Sequence, residues 1–147
     1  MHLFNVTLSL FSDYSLRILM FAALKRTVVF SVDDAAKAYG LSRHHTAKVV
    51  NFLAQRGYLR SQRGRGGGLC LGKDPGEIRL GEVLRQTENG APLVECFDTA
   101  KNTCPLIHVC ALKGALAGAL SAFFDSMDRF TVASLVQRPD GLRRVLH

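Results

Sequence analysis

Three cysteines lie in one short segment in the second half of this 147-residue chain. We call residues 95–113 the cysteine segment; it contains Cys96, Cys104 and Cys110, with Pro105 stiffening the turn after the second thiol. A loop of this length can fold three sulfurs around one centre, and soft thiolates suit zinc or an iron–sulfur cluster. An apolar helical pattern follows directly, so we expect the centre to lie where two subunits meet.

The length of the chain allows one good core, or a small domain followed by a dimerisation element. No stretch is long and apolar enough to cross a membrane, and Asp13 and Arg17 interrupt the apolar start, which argues against a signal peptide. We therefore expect a cytoplasmic protein, in which clustered thiols indicate metal or redox chemistry. Cys70 lies outside the triplet and is expected to be a small apolar side chain.

The positive charge of the chain is concentrated in one interval. Basic residues exceed acidic ones by seven overall, yet no acidic residue occurs between Asp34 and Asp74. The basic residues of that interval are Lys37, Arg43, Lys48, Arg56, Arg60, Arg63, Arg65 and Lys73. Such a concentration is typical of a phosphate-binding face, although a solvated surface is the alternative. The pattern favours nucleic acid as a partner.

Capping signals predict two helices, the first before the basic interval and the second at its start. Ser12 is expected to cap a first, apolar helix. Ser31 and Asp34 match a capping box that opens a second helix, which Gly40 ends.

A third helix is predicted between Ser42, its cap, and Gly57, its stop. Two short helices joined by a glycine-containing turn, the second basic at its start, are typical of a helix-turn-helix. A helix pair inside an all-α core is the alternative, but such pairs rarely concentrate one sign of charge at that point. The residues expected to face the DNA major groove are Arg43, His44, His45, Thr46 and Lys48.

A glycine-rich hairpin follows, with strands at 58–62 and 69–71 joined by the turn R-G-R-G-G-G. Arg63 and Arg65 on that turn can approach phosphates or a narrow minor groove, because glycines keep other side chains away. The turn lacks the Lys-Ser/Thr pair of a nucleotide-binding P-loop and opens no helix. We therefore predict a mainly α fold with a small β wing, a winged helix-turn-helix over residues 1–76.

The second predicted unit, residues 77–147, holds the cysteine segment and a long C-terminal helix. Residues 72–76 have the composition of a linker, and residues 80–87 form a short amphipathic helix that breaks at 89–92. From Leu112 onward apolar residues recur at spacings of three and four, typical of a helix that packs along another. We predict a dimerisation helix; closure over the protein's own core is the alternative.

Several short motifs in one order carry a resemblance that covers nearly the whole chain. They are F-S-D-Y-S-L-R (11–17), A-Y-G-L-S-R-H-H (38–45), R-G-R-G-G-G-L (63–69), I-R-L-G-E-V (78–83), N-T-C-P (102–105) and C-A-L-K (110–113). One such motif is weak, but the set in register is specific. The chain resembles the winged-helix iron–sulfur transcriptional regulators, the superfamily of IscR, RirA and NsrR, and within it the nitric-oxide-sensing repressors most closely.

The resemblance implies a homodimer that represses by binding a palindromic operator in double-stranded DNA until nitric oxide damages its cluster. It implies one cluster per subunit, [4Fe-4S] in preference to [2Fe-2S], held by Cys96, Cys104 and Cys110. The fourth ligand would be Asp13 of the partner subunit, a harder and more labile ligand than thiolate. The alternative for Asp13 is a charge that complements the helix dipole.

Two alternatives remain beside nitric oxide sensing. Iron- or redox-responsive repression is the alternative within the family, where sensors share this cysteine spacing; Lys113 stands where IscR-like members have a histidine. A DNA-binding protein with structural zinc is the second. An enzyme is not expected, because no orienting group accompanies the thiols and His108. Residues 1–5 precede the usual family start, which indicates Val6 as the native first position.

Overall fold

The computed structural model describes residues 6–88, 90 and 92–146, and these are mostly helical. The helices are α1 (Leu10–Leu24), α2 (Val32–Tyr39), α3 (Arg43–Gln55), α4 (Leu80–Thr87), α5 (Ala111–Met127), α6 (Val132–Leu135) and α7 (Pro139–Val145). An antiparallel hairpin of β1 (Leu59–Gln62) and β2 (Gly68–Leu71) lies between α3 and α4, and 3₁₀ turns cover Pro75–Glu77 and Glu95–Phe97. The predicted fold class is confirmed. The expected start at Val6 concerns residues 1–5, which lie outside the described residues.

Helix α1 begins one turn earlier than predicted. Its cap is Ser9, whose hydroxyl accepts a hydrogen bond from the backbone amide of Ser12 at 3.1 Å. The prediction that Ser12 is the cap is wrong, because its side chain is fully buried and its Oγ lies 2.6 Å from Oγ1 of Thr87. Edge-to-face packing of Phe11 on Phe52, with ring centroids 5.1 Å apart, holds this extra turn in the helix.

The predicted caps of α2 and α3 are confirmed. The Asp34 amide donates to the Ser31 hydroxyl at 3.1 Å, and the Ser31 amide donates to the Asp34 carboxylate at 2.8 Å. These hydrogen bonds, the backbone one first, hold the pKa of Asp34 below its ordinary value. Gly40 ends α2 with φ +64°, and Ser42 accepts from the His45 amide at 3.4 Å to start α3.

Glycine is required at the tip of the hairpin. Gly64 and Gly66 adopt φ of +98° and +71°, which side chains rarely tolerate. A Cβ at Gly67 would lie 2.3 Å from the backbone oxygen of Gln62. The tip is therefore tight, and its arginines project from a backbone that carries little else.

One hydrophobic core joins elements from both predicted units. Residues such as Ile18 and Leu53 share it with Ile78, Val83 and Val132, all nearly inaccessible to solvent. The predicted boundary at residue 76 stays a prediction, although described residues on both sides of it contribute to this core. We call residues 9–88 and 131–136 the winged-helix body.

Helix α5 differs from the body because none of its 17 residues is buried. Leu112 is 64% exposed and Phe123 40%. Its principal neighbour among the described elements is α4. The predicted break at 89–92 includes Asn89 and Ala91, which lie outside the described residues. Among the helices described, none is long and apolar enough to cross a membrane.

Candidate nucleic-acid interface and metal centre

The exposed face of α3 carries most of the residues predicted to read DNA. Exposed side chains on its first two turns are those of Arg43, His44, His45 and Lys48. Thr46 is the exception, and its assignment as a DNA contact is corrected. Its side chain is fully buried beside the core positions Val49 and Leu53, and its hydroxyl donates to the Ser42 carbonyl at 2.9 Å.

Arg43 is held at the start of α3 by an aspartate of α2. Its Nε lies 2.6 Å from Oδ1 of Asp33, and the two side chains are 69% and 67% exposed. An exposed pair of this kind contributes about 0–1 kcal/mol to stability. The pair therefore orients the Arg43 guanidinium but leaves it available to a stronger anionic partner.

Two further residues of α3 continue the same exposed face. Asn51 and Gln55 follow Lys48 at helical spacing and are both exposed. Amide side chains can donate to and accept from the edge of adenine in the major groove. Extending the helical period from Lys48 would have identified both positions in the sequence.

The hairpin adds a second basic surface. Arg63 and Arg65 are exposed at its tip. A pocket of about 270 Å³ beside the strands is lined in part by Arg60, Lys73 and Arg26, the last of which pairs with Asp74 at 2.8 Å. The hairpin thus presents cations both at its tip and along its side, as a surface that follows a phosphate backbone requires.

The structure places the predicted cysteine ligands on one segment. Cys96 lies in the Glu95–Phe97 turn, and Cys104 follows a tight turn in which its amide donates to Asn102 Oδ1 at 3.1 Å. Cys110 immediately precedes α5, at its N-cap position. All three are free thiols of intermediate exposure. None of residues 95–113 is buried, so the segment has no core of its own.

The thiols are close in sequence but do not form a preassembled centre. Within the described part of the chain, no three His, Cys, Asp or Glu side chains converge as a metal ion would require. The donor chemistry nevertheless fits an iron–sulfur cluster or zinc, since three accessible thiols can supply three thiolate ligands. Cys70 lies apart on β2, as predicted.

Cys96 lines a groove of about 540 Å³ between the cysteine segment and the helices. The other lining residues are Arg85, Phe97, Thr99, Lys113, Ala117, Leu120, Ser121 and Phe124. Lys113 adds a positive charge to the lining of this groove. His108, between the last two cysteines, is exposed.

Asp13 lies in the first turn of α1 and is paired within its own helix. Arg17 contacts both carboxylate oxygens, with Nη2 at 2.7 Å and Nε at 2.9 Å. The same guanidinium lies 5.9 Å from the Tyr14 ring centroid and 6.0 Å from that of Tyr39. Burial raises the pKa of Tyr39 to about 12, and its hydroxyl donates to the Arg17 carbonyl at 2.7 Å. The role of Asp13 as a ligand stays a prediction.

Comparison with known proteins places the chain in a family. Residues 8–138 match the Rrf2 family, described as iron-dependent transcriptional regulators. The HTH-type transcriptional regulators NsrR of Bacillus licheniformis and Bacillus subtilis are each 42% identical over 137 residues, covering 92% of this chain and 96% and 94% of theirs. The solved structure of T. potens IscR superposes with a TM-score of 0.74 at 19% identity, covering 90% of this chain and 88% of that one, and so shares the fold. The chain is therefore a DNA-binding transcriptional regulator that belongs to the Rrf2 family.

Proposed function

We propose that the chain is a cytoplasmic homodimeric repressor that holds a palindromic operator while Cys96, Cys104 and Cys110 bind an iron–sulfur cluster, and that nitric oxide releases the DNA. The observation that carries the proposal is three accessible thiols on the segment that leads from α4 into α5. The NsrR relatives support repression of this type.

The DNA contacts follow from the exposed side chains. The first turns of α3 enter the major groove with Arg43, His44, His45 and Lys48 on the exposed side. The hairpin tip brings Arg63 and Arg65 to the phosphates or the minor groove. Asn51 and Gln55 extend the α3 face toward further base edges.

The homodimer is supported by the apolar surface of α5. A helix with no buried residue leaves Leu112 and Phe123 with little cover from their own chain. Burying a large apolar side chain contributes about 1.5–3 kcal/mol, so a symmetric pair of such helices would associate. This arrangement places the cysteine segment beside the subunit interface.

We propose a cluster of [4Fe-4S] type, as the family resemblance implies, with [2Fe-2S] as the alternative. When bound, the cluster would supply iron that reacts with nitric oxide. Lys113, which lines the groove beside Cys96, offsets the negative charge of thiolates, and Phe97 and Phe124 reduce the access of water. Asp13 of the partner subunit is the fourth ligand in this proposal, and it must leave Arg17 to serve.

The test is anaerobic purification followed by native mass spectrometry and operator binding, before and after nitric oxide. We expect a coloured dimer whose mass includes one cluster per subunit and whose DNA affinity falls as nitric oxide is added. A colourless protein that contains zinc would contradict the proposal.

Iron-responsive repression is the second candidate, and the description of the matching family as iron-dependent favours it. Iron limitation in nitric-oxide-free cells distinguishes the two. Release of the operator under iron limitation, with no response of the holo-protein to nitric oxide, would select the second candidate.

A further inference from the structure

The attachment of α5 to the body depends on a small set of contacts near its C-terminal end. Helix α4 is its principal neighbour, and no residue of α5 is buried. The direction in which α5 leaves the body must therefore be fixed where these two helices cross.

Gly81 of α4 is the first of these contacts. A Cβ at this position would lie 2.5 Å from the backbone oxygen of Phe124 and 2.3 Å from Oδ1 of Asp128. The two helices thus touch almost backbone to backbone. A single close contact fixes the distance between two helices but leaves the angle between them free.

Arg85, one turn further along α4, supplies the second contact. Its Nη1 lies 2.7 Å from Oδ2 of Asp128 and its Nη2 lies 3.1 Å from Oδ1 of Asp125. The guanidinium carbon also lies 5.3 Å from the ring centroid of Phe124. We call this set the Arg85 clasp. A planar guanidinium holds two acceptors and a ring in one orientation, which a lysine ammonium does not.

A small change of angle at the Arg85 clasp becomes a large displacement at the N-terminal end of α5. Residues 111 to 124 span about 20 Å at the helical rise of 1.5 Å per residue. A rotation of about 10° at the clasp would move the far end of α5 by about 3.4 Å, the rise of one base pair.

We propose that the Arg85 clasp sets the crossing angle of α4 and α5, and so determines which spacing of two DNA half-sites the dimer accepts. This rests on the proposed homodimer, in which α5 forms the subunit seam. Arg85 is then a positioning residue for operator recognition, since it acts on the separation of the two α3 helices without touching DNA.

Stability alone does not account for such a cluster. Arg85 is 42% exposed, Asp125 70% and Asp128 27%, and ion pairs that solvent reaches in this way contribute little to stability. Loss of the clasp should therefore leave the fold and the dimer in place. The property it changes is the geometry of the dimer.

The experiment measures how affinity depends on half-site spacing. An operator selected by the wild-type holo-dimer from a random-sequence duplex library is rebuilt with its half-sites moved by one or two base pairs in each direction. The variants are Arg85→Ala and Arg85→Lys. The control is Arg143→Ala, which removes an arginine that pairs with Asp140 at 3.9 Å on α7.

We expect a sharp optimum for the wild type and the control. In both Arg85 variants the ratio between the best and the displaced spacings should fall by about 2- to 30-fold, the range over which substitutions alter coupling between sites. Sedimentation should show dimers throughout. If Arg85→Ala fails to fold, the profile of Arg85→Lys decides.

An unchanged profile, or an equal loss of affinity at every spacing, would overturn the role of the clasp. A wild-type protein that is monomeric, or indifferent to spacing, would instead remove the proposed homodimeric function. The two failures are therefore separate observations, one on the variants and one on the wild type.

Discussion

The winged-helix body and the C-terminal part of the chain differ in what fixes their structure. The body buries Leu53, Val83 and Val132 completely and closes its helices with its own caps. The cysteine segment and α5 bury nothing within one chain. The body is therefore specified by its own sequence, whereas in the proposed function a bound cluster and a second subunit complete the C-terminal part.

The largest expected effect concerns the cluster proposed for the cysteine segment. Cys104→Ala should abolish the visible chromophore of anaerobically purified protein, because two thiolates and a carboxylate hold a cluster far less well than three thiolates do. Cys70→Ala is the matched control and should keep its colour, since Cys70 lies on β2 outside the segment. Absorption spectra and iron content measure both. A fully coloured Cys104→Ala protein would refute the ligand assignment.

Substitution of a core leucine and substitution of a leucine on α5 should affect different properties, which tests the contrast between the body and the C-terminal part directly. Leu53→Ala should lower the free energy of unfolding by about 2–5 kcal/mol, because Leu53 is inaccessible in the core. Leu112→Ala should leave the body folded, because Leu112 is 64% exposed in one chain, and should weaken the dimer by about tenfold or more. Urea unfolding and sedimentation measure the two effects. Equal effects of both substitutions on unfolding would remove the distinction.

Sequence patterns predicted those features of the body that depend on neighbours in the chain. Ser31 with Asp34, Gly40 and Ser42 were assigned correctly, because caps and stops act within four residues. Ser12 was misassigned, since two serines three residues apart can both cap a helix, and packing of Phe11 on α3 decided between them. Local signals alone carry no information about such a distant partner.

The sites were predicted less completely than the fold. Thr46 has the polarity of a DNA contact, but its spacing from Val49 and Leu53 places it on the buried face of α3. The Arg85 clasp joins α4 to residues about forty positions away, which no helical period reveals. In the proposed function the thiols converge on a bound cluster, so the geometry of that site lies beyond what the sequence of one subunit encodes.

Base reading should be separable from phosphate binding on the proposed interface. Asn51→Ala should cost about 1–3 kcal/mol at particular base pairs and relax the preference there, because an amide can pair with one base edge. Arg65→Ala is the contrast and should weaken binding to all sequences, reducing the slope of affinity against salt by about one unit. Titrations of holo-protein on operator variants at several salt concentrations measure both. A changed base preference in Arg65→Ala, with an unchanged slope of affinity against salt, would show that Arg65 reads bases and does not bind phosphate.

The smallest expected effect is the pH dependence of the stability that the Ser31–Asp34 cap of α2 contributes to the winged-helix body. The backbone and side-chain hydrogen bonds from Ser31 lower the pKa of Asp34 in the folded state. A lowered folded pKa means that the ionised carboxylate stabilises the fold above its ordinary pKa of 3.8, and that this contribution is lost as the pH falls through the folded value.

Asp34→Asn should therefore be less stable than the wild type near neutral pH, and the two unfolding curves should converge below about pH 4. Urea unfolding of the cluster-free protein at a series of pH values measures the difference without interference from the cysteine segment. The convergence is specific to a carboxylate that acts through its charge. A difference that persists at low pH would show instead that the substitution disturbs the packing of α2. Asp34 would then stabilise the helix start through its shape and contacts and not through its charge.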